Sequence, residues 1–194
     1  MIFLHVFTEE PSLKIVLENL LPSMLTENIS FKIYPHQGKQ DLEKAIRRAI
    51  PSISRIPGSR IIITRDQDSS NCVELKQNLD EIAHNNCFCP YKIRIVCQEL
   101  ESWFLGDLEA IEGAFHRFKG ENHIGKAEFR NVDAISKPSE YLLKILPEYS
   151  GIGYLPKMEV AEKVSKNMGI DRNRSTSFNH FIRSVRDLTS GALG

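Results

Sequence analysis

The stretch Arg60-Ile61-Ile62-Ile63-Thr64-Arg65-Asp66-Gln67-Asp68-Ser69-Ser70-Asn71 sets an unbroken isoleucine run against a polar turn with two aspartates. A β-branched run of this kind predicts a strand buried on both faces, as a parallel sheet places at its centre. The turn predicts a helix after it, because Asn71 followed three residues later by Glu74 has the form of a capping box. Working outward, the same alternation recurs. Residues 2–7 are a second short apolar run, closed by Thr8-Glu9-Glu10-Pro11. Leu13, Val16, Leu17, Leu20, Leu21 and Met24 follow at three- and four-residue spacing, with Pro11 and Ser12 as helix-start signals. Residues 29–34 alternate in the strand manner. Leu42, Ala45, Ile46, Ala49 and Ile50 make a second amphipathic helix, which Pro51 is expected to stop. Val73, Leu75, Leu79, Ile82 and Ala83 line the helix after the central turn, residues 91–97 give a fourth strand, and the chain turns helical from Glu99. This order predicts an α/β core over residues 1–116: a four-stranded, mostly parallel sheet with helices on both faces.

Beyond residue 117 the character changes. Residues 118–137 are polar and irregular and are expected to form a long loop or lid. Three helices are predicted after it, over 140–146, over 157–168 with Gly169 as its stop, and over 174–188. Residues 117–194 are expected to be a helical appendage packed on the core.

Composition narrows the class. The 194 residues carry 25 Lys plus Arg against 25 Asp plus Glu, and 41% are hydrophobic, which is a globular profile. No apolar run approaches the roughly 20 residues of a membrane-spanning helix. The N-terminus has no basic flank and no small-residue cleavage site, so a cytoplasmic chain without a signal peptide is expected. Zero net charge argues against a protein that coats nucleic acid with a uniformly basic surface; it leaves room for one that handles nucleic acid at a single site. The four cysteines, Cys72, Cys87, Cys89 and Cys97, are too few for a disulfide scaffold. His84, Cys87, Cys89 and Cys97 are close in sequence, but their spacing matches no usual zinc pattern, and reduced thiols are expected.

In a parallel sheet, loops and helix N-termini converge at the carboxyl ends of the strands, where ligands collect. Acidic residues follow three of the expected strands: Glu9 and Glu10, Asp66 and Asp68, Glu99 and Glu101. Carboxylates converging without basic partners repel one another, and an all-oxygen set of this kind suits Mg²⁺ or Mn²⁺. Asp66 and Asp68 would point the same way if their segment stays extended. The plainer reading of the same pair is a solvated turn or a helix cap. Gly38-Lys39 lacks the rest of a phosphate-binding P-loop, since Ile33 and Gln40 stand where Gly and Ser or Thr are required. Lys39 is left as a candidate phosphate contact or a solvated lysine. Lys157, Arg172 and Arg174 surround expected helix starts, where they would meet either phosphate or the acidic loops. Trp103 and Phe104 are expected to pack, His5 to be a satisfied core histidine, His36 to face the site and His180 to lie on a helix surface.

Five segments occur in order: Thr8-Glu9-Glu10-Pro11-Ser12, Gln37-Gly38-Lys39, Asp66-Gln67-Asp68-Ser69-Ser70-Asn71-Cys72, Glu99-Leu100-Glu101-Ser102-Trp103-Phe104-Leu105-Gly106-Asp107 and Arg172-Asn173-Arg174-Ser175-Thr176-Ser177-Phe178. Together they resemble an uncharacterised bacterial family of about this length, a domain-of-unknown-function family. That family in turn resembles the Toprim fold of topoisomerases, primases and overcoming-lysogenization-defect nucleases. The resemblance implies Glu9 as a metal ligand or general acid/base, Asp66 and Asp68 as holders of Mg²⁺ (or Mn²⁺), and Glu101 (or Glu99) as a further acid. Glu10 and Pro11 stand where Toprim proteins commonly have Gly, a departure from the pattern.

The expectation is a Toprim-like, Mg²⁺-dependent nuclease with Lys39, Lys157 and Arg174 as phosphate contacts and DNA or RNA as substrate. The resemblance further implies an ATPase partner in phage defence. The alternative is a non-catalytic interaction subunit whose acidic cluster is structural or vestigial. A third is Mg²⁺-dependent phosphotransfer or hydrolysis on a small substrate. An aspartyl-phosphate mechanism fits less well, since the Asp pair follows the third expected strand and not the first. The neutral charge is itself a cancellation: residues 1–116 carry 16 acidic and 12 basic side chains, and residues 117–194 carry 9 and 13.

Overall fold

The computed structural model describes residues 1–190. In chain order the elements are β1 (Ile2–Thr8), α1 (Pro11–Met24), β2 (Ile29–Pro35), α2 (Lys39–Arg48), α3 (Ile50–Ile53), β3 (Ser59–Asp66), α4 (Cys72–His84), β4 (Tyr91–Val96), α5 (Glu101–Leu105), α6 (Leu108–Ala114), α7 (Pro138–Ile145), α8 (Lys157–Ser165) and α9 (Thr176–Thr189). The strands form one sheet in the order β2-β1-β3-β4, and every pairing is parallel. The isoleucine run is one of its two central strands, paired to β1 with Phe7 opposite Ile63 and to β4 with Ile63 opposite Ile93.

Pleating sorts the side chains. Ile61 and Ile63 join Phe7, Leu42, Ile46, Leu79 and Ile93 in a buried layer under α2, α3 and α4. Ile62 points the other way, into a larger layer with Leu4, Val6, Val16, Leu20, Trp103 and Phe181. By the two-residue period, Thr64 and Asp66 follow Ile62 onto that second face. Connections leave β1 toward β2 and leave β3 toward β4, so the strand order reverses between β1 and β3. Their carboxyl ends flank the crevice where an open parallel sheet places its ligands.

Three expectations are corrected. Pro51 does not terminate helical structure; it sits in the first turn of α3, where its missing N–H costs nothing. Of the long loop or lid expected over residues 118–137 the structure shows the loop and not a lid, because Phe118, Phe129 and Val132 are buried in the larger layer and short 3₁₀ turns hold the chain between them. The helix expected to reach residue 168 ends at Ser165, and the Gly169 N–H goes instead to Asp107 Oδ2 at 2.7 Å. The C-terminal helices are continuous with the core: α9 lies against β4, β1 and β3, and α8 packs on α1. Among the described residues no helix is long and apolar enough to cross a membrane.

Two of the ordered segments turn out to knit to each other. Asn173 donates Nδ2 to Trp103 O (2.8 Å), its Oδ1 accepts from Ser175 N (2.9 Å), and Arg174 N donates to Gly106 O (2.8 Å). Asp107 caps α6 through Ala110 N and receives Arg172 Nε at 2.8 Å, while Asp133 receives Ser175 Oγ and Ser177 N at the start of α9. Gly106 has no room for a side chain, since a Cβ there would fall 2.2 Å from Asn173 Oδ1 and 2.8 Å from Ser175 N. Gly106→Ala is therefore expected to lower stability by about 3 kcal/mol through overpacking and lost hydrogen bonds. Urea unfolding checks this; an unchanged midpoint would count against the packing described.

Candidate functional site

At the crevice, the end of β1 supplies Glu9 and Glu10, the end of β3 supplies Asp66, the first turn of α5 supplies Glu101, and the first residue of α8 is Lys157. Glu9 is aimed across the sheet: its Oε2 accepts from Asp66 N at 3.2 Å and lies 3.7 Å from Arg65 Nε. Arg65 is held in turn by Glu43 at 3.0 Å. The backbone of Glu9 is braced by Gly38, whose N–H donates to Glu9 O at 3.0 Å from a φ of +92°, a conformation that favours glycine. Glu10 occupies the N-cap position of α1, yet its side chain does not cap the helix. It accepts from Ser12 Oγ at 3.3 Å and stands 3.7 Å from Lys157 Nζ.

Glu101 is the unusual member. It is fully buried, and neither carboxylate oxygen has a hydrogen-bond partner. The closest cation is Lys157 Nζ, 3.9 Å from Oε1. Burial pushes its carboxyl up to about 7, with Lys157 opposing and Glu99 and Glu10 adding to the rise. Asp66 is pushed well above the ordinary range by burial first, then by Glu10, Glu101 and Glu9, against the pull of Lys157. Glu9 is raised by burial, with Arg65 opposing. Burial alone would lower the Lys157 ammonium, but Glu101, Glu10, Glu99 and Asp66 outweigh it and hold it above its ordinary value. Four carboxylates thus face two cations, and the burial of Glu101 and Asp66 makes that imbalance costly.

The other expected residues fall at varying distances from this cluster. Asp68 is exposed on the turn after β3, near enough to Glu9 for its charge to help raise that carboxyl. Its segment is not extended. Gln67 and Asp68 donate their N–H groups to Val96 O and Gln98 O, and Asp68 takes a φ of +51°, so the alternation that would align it with Asp66 breaks. Glu99 has a plain structural role, accepting from Ser139 N at 2.9 Å in the first turn of α7. Lys39 is exposed at the start of α2. Arg174 is not brought to the carboxylates; with Arg172 it lines a separate pocket of about 220 Å³ around Leu105–Glu109. Arg172 is the salt-bridge partner of Asp107, the plainer of its two expected roles. His36 is tied to Thr8 O through Nδ1 at 3.0 Å and stacks on Phe7. His5 is satisfied by Tyr34 and Ser59. Trp103 and Phe104 are buried in the core.

Arg65 was not singled out by sequence; Glu10 was named among the converging carboxylates but not among the expected ligands, since Glu10-Pro11 departs from the Toprim pattern. Of the two roles expected for Lys157, phosphate contact or salt bridge to the acidic loops, the structure shows the second, with Glu10 and Glu101.

A family model described as a domain of unknown function (DUF4276) matches residues 8–186. The chain belongs to this family. No match to it was found among the curated proteins or among the solved structures. In this DUF4276 chain the match runs from the last residue of β1 into α9, so it takes in every carboxylate of the cluster together with Lys157.

The donors fit a hard divalent cation in kind, being carboxylate oxygens, and Glu101 is a buried acceptor with nothing to accept from. They are not gathered into a ready-made cage: among the described residues, no three His, Cys, Asp or Glu side chains form a group that could hold a metal. The ammonium of Lys157 lies between Glu10 and Glu101.

Proposed function

We propose that this chain is a Mg²⁺- or Mn²⁺-dependent hydrolase of phosphodiesters, acting on nucleic acid. The observation that carries the reading is Glu101: fully buried, without a hydrogen bond to either carboxylate oxygen, with one ammonium at 3.9 Å and with Asp66 and Glu10 near it at the point where strand order reverses. Burying a carboxylate beside others with one distant ammonium and no hydrogen bond is destabilising, and a fold carries such a cost where charge is to be used. Asp66, Glu101, Glu9 and Glu10 are the residues that would hold the ion, with Asp68 at the rim. A bound divalent cation supplies Lewis-acid stabilisation of the phosphoryl oxygens and a more acidic water. Glu101, poised near neutrality, suits the transfer of a proton to or from a reacting oxygen. Lys157 would neutralise a phosphate oxygen brought over the cluster. Lys39 at the start of α2 and Arg174 over its own pocket are more distant candidates for the rest of the strand. DNA or RNA as substrate, and an ATPase as partner, enter through the resemblance of the ordered segments to Toprim nucleases.

The test is cleavage of supercoiled plasmid and of single-stranded RNA with millimolar Mn²⁺ or Mg²⁺. Asp66→Asn is expected to lower the rate at least about 100-fold. One observation favours the second reading, a non-catalytic subunit with a structural acidic cluster: Lys157 already lies between two of the carboxylates. Calorimetry separates the two. Under the hydrolase reading the wild type binds the ion and Lys157→Met binds it more tightly; no heat of binding in either at millimolar ion leaves the structural reading standing.

A further inference from the structure

Cys87 and Cys89 lie on the bend between α4 and β4, at the end of the sheet opposite the carboxylates. Their sulfurs are 3.8 Å apart, and Cys87 Sγ also donates to Cys89 O at 3.5 Å, so both side chains point to the same side of the bend. Both are half-buried, while Phe88 between them is exposed and carries the Arg55 guanidinium 4.0 Å above its ring. The other two cysteines are elsewhere. Cys97 follows β4 at the far end of that strand, about 20 Å along an extended chain, beside Asp133 and Ser177, and Cys72 opens α4. That separation is why His84, Cys87, Cys89 and Cys97 do not form the zinc cluster their sequence proximity suggested.

We propose that Cys87 and Cys89 are a redox-active dithiol that closes to an intramolecular disulfide by exchange with a small disulfide of the glutathione class. Sulfurs already in van der Waals contact need to close to about 2.05 Å, a movement side-chain rotation can supply on a loop. The two thiols are also unequal. The hydrogen bond from Cys89, with help from Ser54, lowers Cys87 to about 7, and the same bond raises Cys89, which keeps its proton. Cys87 is thus the attacking sulfur and Cys89 the resolving one. The Cys87 thiolate attacks the small disulfide, forms a mixed disulfide and releases one small thiolate. Cys89 then loses its proton to water and attacks the Cys87 sulfur, which expels the second small thiolate. The dithiol loses two electrons and two protons, and the small disulfide gains them as two thiols. Cys97, pushed up to about 11 by burial, is a poor competitor.

The experiment uses the full chain, reduced, freed of reductant and incubated with oxidised glutathione near neutral pH, then acid-quenched, alkylated and digested with trypsin. Residues 77–92 form one tryptic peptide holding Cys87 and Cys89 and neither of the other cysteines. The expected result is that this peptide resists alkylation, is lighter by two hydrogens, and recovers on reduction. In Cys89→Ser the reaction is expected to stop with one glutathione on Cys87. A wild-type peptide that keeps its full mass, or that stably carries glutathione without closing, overturns the proposal. Neither readout depends on catalytic activity.

Discussion

Glu101→Gln is expected to make the protein more stable above neutral pH, by about 2 kcal/mol, and, under the proposed hydrolase reading, to abolish cleavage. The magnitude follows from the carboxyl, which burial lifts from an ordinary 4.5 to about 7, at about 1.4 kcal/mol per unit, less what the neutral form also loses by being unpartnered. The sign follows from proton counting. Between about pH 4.5 and 7 the folded chain holds a proton that the unfolded chain has released, so stability falls as pH rises through that window and levels off above it. Asp66, raised in the same direction, adds to the fall. The glutamine has no charge to bury, so its advantage should be full at pH 8 and vanish near pH 4.5. Thermal melts of both proteins across this range check it; for a chain this long the gain corresponds to roughly 4–8 °C. A variant less stable than wild type at pH 8, or one whose advantage does not change with pH, sinks the account of Glu101 as an under-compensated buried acid.

Trp103→Ala should do the opposite, costing about 4 kcal/mol. The indole is fully buried, meets Phe178 edge-on at 5.2 Å and Phe181 at 5.4 Å, and donates Nε1–H to Ser177 Oγ at 3.0 Å. Alanine leaves a cavity between α5 and α9 and removes one of the two hydrogen bonds of the Ser177 hydroxyl, which keeps its contact with Ser175 Oγ at 3.1 Å. Trp103→Phe keeps most of the packing and loses mainly the hydrogen bond, so about 1–2 kcal/mol is expected. The discriminating result is the difference between the two in urea unfolding. Equal losses would mean that the bond to Ser177, and not the filled volume, holds α9 to the sheet.

Much of the sheet layer was legible because its signals are local. A β-branched run or a three-and-four spacing of leucines carries its period within a dozen residues, and the ends of β1, β3 and α1 fall within a residue or two of expectation. Residues 118–137 were opaque because their order is long-range. Phe118 and Phe129 enter a core built by other elements, and Asp133 organises a helix start more than forty residues later. The site divides in the same way. That Glu9, Asp66 and Glu101 gather at one edge follows from their positions after successive parallel strands. That Asp68 turns away from the strand line does not, because it depends on backbone bonds to Val96 and Gln98. The place of Arg174 over a separate pocket has a related reason: its segment is committed through the main chain to Gly106, and no local pattern announces that.

The placing of Lys157 has a consequence for the order of synthesis. Glu9, Glu10, Asp66 and Glu101 all emerge before it, and Lys157 comes 56 residues after the last of them (157 − 101). At about 5–20 residues per second this is an interval of roughly 3–11 s. During it the growing chain has its strands and its acids but not the ammonium that lies among them. Closure of the acidic edge therefore waits on α8 reaching α1, so a nascent chain stalled before that point carries a self-repelling rim in place of a finished crevice.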